Sequence, residues 1–106
     1  MGTRSAIGYR LPLGSVRASY CHWDGYKSHQ LPILEEHYNS TAKVKALIKP
    51  GSFSSLEADQ TEIDYHGDGF MPAKTSSRPL DYWFKECCCD FLYVWDGQKW
   101  LVYSDS

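Results

Sequence analysis

At 106 residues the chain is long enough to bury one core and too short to divide it, so residues 1–106 are read as a single domain. A formal net charge of −2, from eleven Lys and Arg against thirteen Asp and Glu, argues against a nucleic-acid binder that works by neutralising phosphates. No apolar run approaches the roughly 20 residues of a membrane span, and the start lacks the apolar core of a signal peptide, so the chain is expected to stay where it is made.

MGTRSA misses a myristoylation signal because Ala6 stands where Ser or Thr is needed. Residues 4–11 (RSAIGYRL) and 16–22 (VRASYCH) alternate loosely, and Pro12 and Gly14 between them supply a reversal. The spacing predicts an N-terminal β-hairpin. Its second strand sets Tyr20 and His22 on one side and Cys21 on the other, then runs into WDGY. There Asp24-Gly25 signals a turn, with Gly25 taking a positive φ and Asp24 bonding nearby backbone N–H groups.

In SHQLPILEEHYNS, Pro32 suits the first turn of a helix. Leu34 and Tyr38 share a face with Ile33 beside them, while Glu35 and Glu36 face water. Asn39-Ser40 breaks this helix and caps the next, TAKVKALIKPG, whose Val44, Leu47 and Ile48 follow the i, i+3, i+4 rule up to Pro50-Gly51. From about residue 52 to 78 the pattern weakens into a long irregular loop, anchored by Phe53, Leu56, Ile63, Tyr65, Phe70 and Met71. Loops of that length are commonly functional.

PLDYWFKECC makes a third short helix with Pro79 in its first turn. DFLYVWDGQKWLVYS then reads as a hairpin through Asp96-Gly97. With those two residues as the loop, Trp95 opposes Gln98, Tyr93 opposes Trp100 and Phe91 opposes Val102. Both faces are apolar, so this hairpin belongs in the middle of a sheet or covers a partner. Strands at both ends with amphipathic helices between them predict an α+β fold. The expected form is an antiparallel sheet from the N- and C-terminal hairpins, with two or three short helices on one face.

Two residue types in this chain, Cys and His, invite chemistry. Cys21, His22, His29, His37 and the Cys87-Cys88-Cys89 run contain the ligands of a zinc site, but no C-x2-C or H-x3-H spacing, and Cys21 and His22 point to opposite faces of a strand. No metal and no cofactor are expected. The adjacent cysteines make poor disulfide partners, and reduced thiols, partly in the core, fit better. Cys–His pairs suit thiol catalysis, yet no thiol-enzyme signature, phosphate-binding loop or nucleophile elbow surrounds them, so the chain is not read as an enzyme.

Binding has more material, because 15% of the residues are aromatic. Tyr20, Trp23, Tyr26 and Tyr38 could stack on a ligand or form an interface hot spot. Core packing is the competing reading for Trp23, and the favoured one for Trp83, Trp95 and Trp100. The expected binding residues are Trp23, Tyr26 and His29 at the edge of the surface, with Tyr20, Asp24 and Tyr38 around them and Cys21 in the core.

The opening MGTRSAIG, the run YCHWDGY followed by His29 and ILEEHY, the segment KVKALIKPGSFSSL and the terminal YVWDGQKW together resemble a group of small proteins of tailed bacteriophages. The likeness covers roughly residues 1–56 and 91–100. Where that group often has a proline after WDGY and Asn-Gly after the His, this chain has Lys27 and Gln30-Leu31, a difference expected to alter the turn before the first helix. The resemblance implies a phage origin and the cytoplasm of an infected bacterium; it carries no activity to transfer. The expected partner is a bacterial host protein, of defence or metabolism, that the chain binds and inhibits. Alternatives are a sponge for a nucleotide-like small molecule, or a virion accessory protein; self-association into a homo-oligomer is a further option.

Overall fold

The alternating segments on either side of Pro12 and Gly14 pair as a hairpin, β1 (Ser5–Arg10) and β2 (Val16–Cys21), in the computed structural model, which describes residues 3–67 and 71–104. The Leu11 N–H donates to the Ser15 carbonyl at 2.8 Å and closes the reversal. Two helices follow, α1 (Lys27–His37) and α2 (Thr41–Ile48), then a short strand β3 (Lys74–Ser76). A six-residue π-helix (Asp81–Glu86) leads to the second hairpin, β4 (Phe91–Trp95) and β5 (Trp100–Ser104). The five strands form one sheet in the order β3-β2-β1-β4-β5. The fold is α+β, and the sheet is mostly antiparallel.

The two hairpins meet through β1 and β4, which run parallel, with Ser5 opposite Phe91 and Tyr9 opposite Trp95. β1 is therefore central and buried on both faces, as its Ser5–Gly8 stretch requires. On one face Ile7, Cys21, Tyr93, Trp95 and Trp100 pack against Leu34 of α1 and Val44, Leu47 and Ile48 of α2. On this face both indoles find polar partners at the α1–α2 junction. Trp100 Nε1 donates to the Leu34 and Tyr38 carbonyls at 3.1 and 3.0 Å, and Trp95 Nε1 donates to Thr41 Oγ1 at 3.0 Å. Ser40 caps α2 by accepting from the Lys43 N–H at 3.2 Å, as its position between the helices predicts.

Several local details differ from the sequence reading. The third helix lies on the opposite face, where Trp83 and Cys89 cover Ala6, Val16, Ala18, Leu92 and Val94. It is wound wide: the Cys87 N–H donates to the Tyr82 carbonyl five residues back. α1 starts at Lys27, so Pro32 sits in its interior rather than in its first turn. The C-terminal hairpin is shifted by two residues, with Trp95 opposite Trp100, Tyr93 opposite Val102 and Phe91 opposite Ser104. The reason is Asp96, whose Oδ1 accepts from the Gln98 and Lys99 N–H groups, both at 2.8 Å, and closes a four-residue loop. An even shift leaves every side chain on its expected face.

The long 52–78 segment is pinned more than its composition suggests. Phe53 bridges to Cys21 on one side and to Tyr65 on the other, and Phe53, Leu56 and Ile63 all enter the core. Phe70 lies outside the described residues. Among those residues no helix is long and apolar enough to cross a membrane.

Candidate functional site

The site is the corner where β2 leaves the sheet and becomes α1. Strand β2 ends at Cys21, which is buried against the first core face, so the next residues must clear the sheet edge. They are caught by residues 52–54, which run beside them. The His22 N–H donates to the Phe53 carbonyl at 3.1 Å and the Trp23 N–H to the Ser54 carbonyl at 2.7 Å. The turn itself departs from expectation in one respect. Asp24, at φ 57°, takes the left-handed conformation, while Gly25 does not. Gly25 is needed for space instead: a Cβ there would stand 2.6 Å from Ser5 Oγ and 2.8 Å from the Thr3 carbonyl. Its own N–H donates to that carbonyl at 2.9 Å, and Tyr93 Oη donates to the Gly25 carbonyl.

Gln30, one turn into α1, completes the anchor. It is fully buried, its Nε2 donates to Ser5 Oγ at 2.7 Å, and the Cys21 thiol donates to its Oε1 at 3.6 Å. Sequence reasoning singled out Gln30 only as a departure from the phage group. A buried amide tying helix to central strand has no sequence signature beyond its polarity on an inward face. Burial pushes the Cys21 thiol up to about 12, so it is a neutral core thiol at physiological pH.

This frame holds two aromatic pairs outward on either side of Gly25. Trp23 is 46% exposed and stands edge-on to His22, ring centres 4.4 Å apart. Tyr26 is 42% exposed and tilts over His29 at 5.7 Å. Trp23 and Tyr26 thus stand on either side of Gly25, His29 beside Tyr26, and Asp24 is exposed. Asp24 makes no side-chain hydrogen bond among the described residues, so the backbone-bonding role expected of it is absent. Tyr38 is elsewhere. It is buried in the core, and its Oη donates to the Glu57 carbonyl at 2.7 Å. Tyr20 is buried on the opposite sheet face; its Oη reaches His22 Nδ1 at 2.8 Å, and burial raises its pKa.

Beyond His22 the surface dips into a cleft of about 510 Å³ lined by Tyr20, His22, His66, Met71, Glu86 and Cys87. His66 was missed by sequence reasoning. Its Nδ1 is 2.9 Å from Ser52 Oγ and its Nε2 3.2 Å from Ser54 Oγ, which in turn donates to Asp64 Oδ2 at 3.3 Å. The i, i+2 spacing of Ser52 with Ser54 and of Asp64 with His66 is the one available signal, two short extended runs presenting one side to each other. Cys87 lines this cleft with His22, but burial raises its thiol pKa, the reverse of an activated nucleophile. Among the described residues no three His, Cys, Asp or Glu side chains converge on a metal position. What the corner offers is a rigid pair of half-exposed aromatic rings with imidazoles behind them. Comparison with known families, with curated proteins and with solved structures finds no match.

Proposed function

We propose that the chain is a phage-encoded binding protein that engages and inhibits a bacterial host protein in the infected cell's cytoplasm, with no turnover of its own. The observation that carries this reading is the presentation of Trp23 and Tyr26. Two large rings stand nearly half exposed on a corner whose backbone is tied at Thr3, Ser54 and Tyr93. Interface hot spots are drawn from Trp and Tyr, and a ring already fixed in place loses little entropy when a partner covers it. The imidazoles of His22 and His29 support the rings from behind, so the same residues do not need to rearrange on contact.

The test is affinity capture from infected bacteria with the wild-type chain and with Trp23→Ala. One dominant host protein is expected with the wild type and should be lost with the variant. The variant itself should melt within about 1 kcal/mol of the wild type, because half of the ring is already in water. Recovery of capsid or tail proteins in place of a host protein would overturn the inhibitor reading in favour of a virion role.

A further inference from the structure

The sheet's second face is covered only in part, because the π-helix that crosses it is six residues long. At the helix's leading end, on the sheet face opposite the one that carries Tyr93, lies a separate cleft of about 500 Å³. Its floor is Val16, Leu92 and Val94, all within the second core cluster, so the base is wholly apolar. Leu80 and Tyr103 form exposed walls, which apolar atoms of a ligand could cover. Two guanidinium side chains, Arg10 and Arg78, line the same cleft.

The charges there do not cancel locally. The one acid lining the cleft, Asp81, pairs with Lys85 at 3.4 Å. Asp96 lies near enough to Arg10 to feel its charge, but its carboxylate is engaged by the loop N–H groups of Gln98 and Lys99. Among the described residues neither arginine forms an ion pair. An apolar cavity of this size with a few convergent polar groups is the usual form of a small-molecule site, and arginine's planar fork matches carboxylate, sulfonate and phosphate heads.

We infer that this cleft binds a small organic anion, its apolar body between Leu80 and Tyr103 above the buried Val16, Leu92 and Val94, and its anionic head between Arg10 and Arg78. The site is independent of the aromatic corner and gives the chain a second ligand class.

The probe is 8-anilinonaphthalene-1-sulfonate, titrated into the full chain and followed by fluorescence, beside N-phenyl-1-naphthylamine, which has the same rings without the sulfonate. One saturable sulfonate site is expected. It should weaken about tenfold for each of Arg10→Gln and Arg78→Gln and weaken further with salt, while melting temperatures stay at the wild-type value. Trp23→Ala should leave it unchanged. The inference fails if no saturable site is found, if the neutral probe binds equally well, if the arginine variants bind as the wild type does, or if Trp23→Ala removes the site.

Discussion

Four cysteines in one small chain differ in what surrounds each sulfur. Cys88 is exposed on a left-handed backbone turn, Cys87 is half-buried, and Cys21 and Cys89 are in the two cores. Burial raises the pKa of the last two, so little thiolate forms at pH 8 even when reagent is present. Iodoacetamide followed by peptide mass spectrometry should therefore mark Cys88 first and Cys87 more slowly, with Cys21 and Cys89 labelled only after unfolding. Gly25 makes a complementary case, where a missing side chain matters. Gly25→Ala puts a methyl against the Thr3 carbonyl and Ser5 Oγ, and should cost about 1–3 kcal/mol in a urea melt. A glycine after Asp in a turn reads as a conformational requirement, yet here Asp24 supplies the unusual φ and Gly25 supplies clearance. Clearance depends on residues 3 and 5, which are remote in sequence, so only the position's importance was legible.

Among the elements, hairpins and helices were legible because their signals are local. Val44, Leu47 and Ile48 bury the helix face that their spacing marks. The loop of the second hairpin was not, because a side chain decides it: Asp96 bonds two N–H groups ahead and lengthens the loop. Those bonds hold the Asp96 carboxyl below the usual aspartate range, the Lys99 N–H contributing most. A carboxyl whose folded pKa is depressed stabilises the fold above its unfolded value, near 3.9, and that stabilisation disappears as pH falls through the lower folded value. Asp59, held down by Thr61, acts in the same direction. Acid melts should thus show stability falling below about pH 4, and Asp96→Asn should flatten that limb while lowering stability at neutral pH. Tyr38 shows the limit for the site. A tyrosine at a helix end is equally suited to a surface or a core, and only the Glu57 carbonyl opposite it settles the matter.

At the scale of the molecule, the pairing of β1 with β4 joins residues 5–9 to residues 91–95. Nothing in either strand names the other, since both are apolar on two faces and would accept many neighbours, which is why the parallel contact was not legible while the fold class was. A chain stopped at residue 90 should show no cooperative melt by circular dichroism, because β1 would lose one flank and Tyr93, Trp95 and Trp100 would leave the core. The same pairing sets a clock during protein synthesis. β1 leaves the ribosome well before β4, so the sheet's centre stays open until residues 91–95 have been made. The corner at Gly25 is in the same position, because one of its anchors is the hydroxyl of Tyr93. A nascent chain thus carries Trp23 and Tyr26 long before Tyr93 is there to hold the corner between them.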